Sequence, residues 1–244
     1  MHPAPSTTLT ADGLFGLSEG QRLLAVVSHP DDETIGPGGT LYRAAAAGIV
    51  VDVLAVACRT RPMWGGDSDP AVRVKEFNAA CDALGVYGRI IAWVDDERAH
   101  TPGNHPSDLV TLIESGTEVS LSETRPDLML IPSATGFHQD HLAVHHAGIA
   151  AARLGGNGKP TPRIVLGYCG PEDVWTRTVE AWTVLVDTTD SWPAKEQALR
   201  AHASQLRDWP HPRSLEGIRK LDAANGVRIG TDLAEQFVAY RIAF

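Results

Sequence analysis

Four near-continuous apolar runs recur along the chain: LLAVVS (23–28), IVVDVLAVA (49–57), RIIAWV (89–94) and DLMLIP (127–132). They constrain the fold more than any other feature. A strand with one wet face alternates apolar and polar residues, whereas an unbroken run belongs to a strand covered on both faces. Segments with helical spacing lie between the runs. TLYRAAAAG (40–48) ends at Gly48, and DPAVRVKEFNAACDALG (69–85) offers Asp69 as N-cap, Pro70 at the first helical position and Gly85 as a stop. SDLVTLIESGTEVSLSE (107–123) is interrupted by Gly116, and HLAVHHAGIAAARLGG (141–156) closes on glycines. This alternation predicts an α/β fold, a mostly parallel sheet between two helical layers.

RIVLGYC (163–169) and WTVLVD (182–187) read as further strands. KEQALRAHASQLRDW (195–209) and GIRKLDAANG (217–226) read as helices, and EQFVAYRIAF (235–244) as a strand or a helix. Residues 1–20, rich in Pro, Thr, Ser and Gly, read as a flexible leader, and residues 21–244 as a single domain. A hydrophobic share of 43% in 244 residues is enough for a substantial core.

A net charge of −9 argues against nucleic acid or an anionic membrane as the main partner, while leaving room for a local basic pocket. Cys58, Cys81 and Cys169 are odd in number and widely spaced, which fits reduced thiols rather than a disulfide framework. No signal peptide is visible, and no apolar run approaches the roughly 20 residues that span a bilayer. The expected location is cytoplasmic.

In open α/β sheets, ligands bind at the carboxyl ends of the strands. The first run exits into SHPDDE, which holds His29, Asp31, Asp32 and Glu33; the second exits into Arg59, Thr60 and Arg61; the third into Asp95, Asp96 and Glu97. The fourth exits into SATGFHQDHLAVHH, which holds His138, Asp140, His141, His145 and His146. Adjacent carboxylates repel one another, so SHPDDE implies a positive partner. A divalent metal fits: His29 and Asp32, three apart on a turn, can face one point, and His141 at the start of the fourth helix could complete a three-ligand set.

SHPDDE, the following GPGGT and the distant HQDH resemble the PIG-L/LmbE family of zinc-dependent N-acetylglucosaminyl deacetylases. Arg73 and Glu76 resemble its Arg-x-x-Glu helix, KEQALRAHASQ its late Lys-x-x-Ala-Leu helix, and Glu235-Gln236-Phe237 its closing Glu-x-Phe. The resemblance implies a Rossmann-like three-layer α/β/α fold and one Zn2+ per chain, with other divalent metals possible. It implies that His29, Asp32 and His141 are the metal ligands and that Asp31 is the general base. It makes His138 the histidine that stabilises the oxyanion and serves the leaving amine, and Asp140 the acid that orients it. The implied substrate is a small N-acylated sugar or glycoside, most simply an N-acetylglucosamine-type sugar, and a homo-oligomer is possible. The loop CRTRPMWGGDS (58–68) lacks the family's Thr-x-Gly-Glu, and Pro37 departs from its usual residue.

Alternatives remain at this stage. The substrate could be a larger sugar or thiol conjugate, or an intermediate in natural-product assembly. GPGGT is either a tight turn or a phosphate cradle, and the second option would support a metal-free nucleotide- or phosphosugar-binding module. Arg73 and Asp95 either bind substrate or are ordinary surface and capping charges. His145 either pairs with His141 on a metal or packs behind it. Trp64 and Trp175 either stack on a sugar ring or pack, and the 58–68 and 170–178 segments could form a lid.

Overall fold

The computed structural model describes residues 14–243 apart from 64, 65, 157, 174–179 and 182. Trp64 and Trp175 therefore lie outside the described residues, as do parts of both loops considered as a lid. Of the stretch read as a leader, Leu14 and Leu17 are buried in the main core.

The apolar runs form the strands β1 (Arg22–Val27), β2 (Val50–Cys58), β5 (Gly88–Val94), β6 (Leu128–Pro132) and β7 (Ile164–Tyr168). They pair in parallel in the order β5-β2-β1-β6-β7. The last segment resolves as a strand, β9 (Ala234–Ile242), antiparallel to β7, and β8 (Val184–Asp187) pairs antiparallel at the edge. The sheet is thus seven-stranded and mostly parallel. A separate short hairpin, β3 (Arg61–Met63) with β4 (Gly66–Ser68), follows β2.

Period-2 geometry splits each strand between two cores. Leu23, Ala25 and Val27 of β1 face one core together with Leu41 and Ala44 of α2 (Gly38–Ala46), Phe77 of α3 (Pro70–Ala83) and Ala198 of α8 (Trp192–Ala201). Leu24 and Val26 face the other, with Leu109 and Ile113 of α5 (Pro106–Ser115) and Val144 and Ala147 of α7 (Gln139–Ala151). Helices on both faces explain the unbroken apolar runs. α5 stops at Ser115, before Gly116, and α6 (Leu121–Thr124) is a separate turn, as the glycine interruption anticipates. Asp69 caps α3 by accepting from Ala71 N at 2.8 Å. The chain leaves β1 first toward β2 and β5, then returns to the other side through β6 and β7, so the switch point lies between β1 and β6.

α2 begins at Gly38-Gly39, pressed against α8 and β9. A Cβ on Gly39 would lie 2.8 Å from Thr188 Cβ and 3.1 Å from Glu235 Oε1. Thr188 is buried and its Cβ is fixed to the backbone. Gly39→Ala is therefore expected to destabilise by about 1–3 kcal/mol, read as a lower denaturant midpoint at unchanged slope. An unchanged midpoint would mean that this contact relaxes freely.

Candidate active site

The loops after β1 and β6 meet at the switch point. Asp32 opens the short helix α1 (Asp32–Ile35), and its Oδ2 accepts from His29 N at 2.9 Å, which ties the turn into a loop. His29 Nδ1 lies 3.6 Å from Asp32 Oδ2, and His141 Nε2 lies 3.2 Å from the same oxygen. One ligand atom from each of these three residues falls within 4.8 Å of the others. The rings of His29, His138 and His141 stand 5.0–5.5 Å apart, centre to centre.

The electrostatics favours a cation there. Burial alone would raise Asp32, but His141 and His29 outweigh it and hold the carboxyl well below its ordinary value. Burial likewise opposes a charge on His141, yet Asp32 pulls it up to about 9. Two imidazoles beside a carboxylate held in its charged form make a donor set suited to a divalent metal.

A second trio, His29, His138 and Asp140, also meets the distance condition. Its donor atoms are already committed. His138 caps α7, its Nδ1 accepting from Asp140 N at 3.2 Å. Asp140 Oδ2 takes Arg59 Nη1 at 2.8 Å and His29 Nε2 at 2.9 Å. The Arg59 guanidinium beside that oxygen would repel a metal.

These contacts differ in detail from the arrangement the resemblance implies. The Asp140 carboxylate lies 4.0 Å from His138 Nδ1 and bonds His29 instead. His138 is held down to about 4 by burial and by the neighbouring His29 and His141, so it is a neutral imidazole with its proton on Nε2.

Asp31 is buried with a positive φ of 132°. Glu33 Oε2 accepts from Asp31 N at 2.9 Å, and His202 Nε2 bonds Glu33 Oε1 at 2.7 Å, so a buried pair holds this unusual backbone. Arg73 Nη2 reaches Asp31 Oδ1 at 3.2 Å and Pro30 O at 2.6 Å, while Arg213 Nη2 reaches Asp31 Oδ2 at 2.6 Å. Arg73 is thus buried and fixes Asp31, rather than standing free for substrate. Sequence reasoning missed Arg213, which lies 182 positions away in an irregular loop, and it carried no motif signal.

Asp95 is outside the cleft around these residues. It accepts from Thr60 N at 2.6 Å and Thr60 Oγ1 at 2.8 Å, and these bonds lower its carboxyl. His145 is buried on Pro132 O at 2.9 Å, meets the Tyr240 ring edge-on, and is not part of the metal-type trio. His146 is exposed. GPGGT is not free for an anion, because Glu235 accepts from Gly39 N at 2.7 Å and Thr40 N at 2.8 Å. Lys195 Nζ secures that carboxylate at 2.7 Å and Asp222 at 2.8 Å. The nucleotide-module reading thereby loses its donors at these two positions. Glu76, the second half of Arg-x-x-Glu, accepts from Ser204 N at 2.8 Å and joins α3 to the loop after α8.

The cleft is lined by Asp31, Asp32, His138, His141 and Asp173, with Arg61, Arg73 and Arg213 among the other walls. Burial raises Asp173, which is anchored by Gly170 N at 2.7 Å.

Fold and site define an α/β protein with a histidine–aspartate centre at the carboxyl edge of its sheet. The family described as PIG-L: GlcNAc-PI de-N-acetylase matches residues 24–152, over half of the chain and including every residue of both histidine motifs. The chain belongs to this family, and it is an enzyme that acts on an amide bond. A relative from Saccharopolyspora erythraea, 1D-myo-inositol 2-acetamido-2-deoxy-alpha-D-glucopyranoside deacetylase 1, is 29% identical over 240 residues, covering 77% of this chain and 78% of that protein. The conserved protein TT1542 of Thermus thermophilus superposes with a TM-score of 0.70 at 26% identity, covering 91% of this chain and 96% of that one. The N,N'-diacetylchitobiose deacetylase of Pyrococcus horikoshii gives 0.68 at 22% identity over 90% and 83%, a likeness that speaks for the fold alone. No described helix is long and apolar enough to cross a membrane.

Proposed function

We propose that the protein is a zinc-dependent N-deacetylase that removes the acetyl group from an N-acetylglucosamine-type sugar or small glycoside, acting in the cytoplasm. The observation that carries this reading is the trio of His29, Asp32 and His141, whose ligand atoms lie within 4.8 Å of one another in a cleft that also holds Asp31 and His138. A zinc ion held by these three residues would supply Lewis-acid chemistry and make a water acidic near neutral pH.

The chain's own groups do the rest. Asp140 accepts from His29 Nε2–H, which fixes the tautomer and leaves Nδ1 as the ligand atom. Asp140 thus orients a ligand histidine in this reading. Asp31 takes a proton from the attacking water and, now an acid, can return it to the departing amine. His138, neutral and protonated on Nε2, donates to the oxygen that gains charge as the carbonyl becomes tetrahedral. The deacetylase named for S. erythraea supports the N-acetylated glycoside as substrate.

The test pairs metal analysis with amine release from a panel of N-acetylated sugars. About one zinc per chain is expected, with release lost on chelation and restored by zinc, and with metal lost in His141→Ala. A protein that retains no metal and does not respond to added zinc would overturn the assignment. Bound metal without turnover of any sugar would move the substrate to a larger conjugate.

A further inference from the structure

Arg61 begins β3 and lines the same cleft as His29, Asp31 and His138. Its side chain is half-buried, and among the described residues nothing pairs with it. The other arginines nearby are engaged. Arg59 holds Ala99 O and Asp140, Arg73 holds Pro30 O and Asp31, Arg213 holds Asp31, and Arg207 holds three backbone carbonyls.

These neighbours leave Arg61 among like charges. Burial, then Arg73 and Arg59, push its guanidinium below the usual arginine range, and Asp31, already claimed by two arginines, does not offset them. A cation held partly out of water without a counter-charge is unfavourable. Nearby, the buried Nε–H groups of Arg73 and Arg213 also lack an acceptor, and both side chains line the cleft. Arg61 thus presents its donors to a cleft that two further guanidiniums, Arg73 and Arg213, also line, in a chain whose net charge is −9. What this corner lacks is an anion with several acceptor oxygens.

We propose that this corner of the cleft is a subsite for an anionic group on the substrate, a carboxylate or a phosphate monoester, and that Arg61 selects for it. The proposal rests on the deacetylase reading and narrows its substrate class to acidic N-acyl sugars. The planar guanidinium fork matches both anions bidentately, and lysine would match them less well. Arg61 lies in the 58–68 loop, which lacks the Thr-x-Gly-Glu that the resemblance implies.

The experiment compares kcat/KM of the zinc-loaded protein on matched sugars: N-acetylglucosamine, its 6-phosphate, and N-acetylmuramic acid, which adds a lactyl carboxylate. At least one acidic sugar is expected to be favoured about tenfold or more over the neutral one. That ratio is expected to approach unity in Arg61→Gln, to be partly kept in Arg61→Lys, and to shrink with added salt. Whichever acidic sugar gains more identifies the anion. Calorimetric titration with the deacetylated sugars reads binding apart from turnover. No preference for either acid, in turnover and in binding, overturns the proposal. A preference that survives in Arg61→Gln also overturns it, since Arg61 would then not select the anion. A binding preference that depends on Arg61, without turnover of any sugar, keeps the anion subsite and sinks the deacetylase reading instead.

Discussion

Asp31→Asn is expected to lower kcat by about 10²–10⁴-fold while the protein keeps its metal. Asparagine has nearly the same shape and tolerates positive φ better than most residues, so the backbone at 132° can persist. The backbone N–H still donates to Glu33, and Glu33 is still held by His202. What disappears is the charge, and with it the ability to take a proton from water. Arg73 and Arg213 each lose a charge-assisted partner, so some stability goes as well, about 1.5–3 kcal/mol. The variant's metal content and its melting curve separate that loss from the catalytic one. Activity within threefold of the wild type would remove Asp31 as the base. The role would then pass to Asp173, another carboxyl lining the cleft, which burial already holds in a more basic state.

The sequence carried the central strands to within a few residues because burial on both faces leaves an unbroken apolar run, but the helix read over 195–209 ends at Ala201 and the β3–β4 hairpin left no apolar period to read. It also carried which strand ends matter, since SHPDDE and HQDH each follow such a run, and the structure brings His29, Asp32 and His141 together there. Side-chain direction was less legible. Asp140 stands two residues from His138 in sequence, yet its carboxylate faces His29, because His138 points its Nδ1 back to cap α7. Arg73 read equally well as a substrate contact or a surface charge, and only the packing of α3 against the first loop shows it buried on Asp31. Arg213 was invisible, because nothing local marks an arginine that crosses the fold to a carboxylate. Glu235 stood out only within the closing Glu-x-Phe, and its grip on Gly39 and Thr40, which turns a phosphate-type turn into an internal cap, was not legible.

That cap makes Lys195 the most consequential residue outside the site. Lys195→Met is expected to destabilise the protein by about 3–5 kcal/mol at pH 8, since it leaves Glu235 and Asp222 buried without their cation. Methionine fills most of the lysine's volume, so the loss is one of charge rather than of packing. Burial alone would lower the lysine, but Asp222 and Glu235 outweigh it and hold Lys195 above its ordinary value. Burial raises Asp222 to about 7, with repulsion from Glu235 adding to it and Lys195 opposing it. A carboxyl raised on folding binds its proton more tightly in the native state. Its stabilising contribution is therefore complete below its unfolded pKa of about 4 and is lost as pH climbs toward 7. Without Lys195 the two carboxylates repel without compensation, so the penalty is expected to be largest at pH 8 and distinctly smaller at pH 5. Denaturant unfolding of wild type and variant at both pH values measures the difference. Equal losses at the two values would mean that the triad contributes through packing alone. The consequence reaches the active site, because Glu235 caps the helix that follows α1, whose first residue is Asp32.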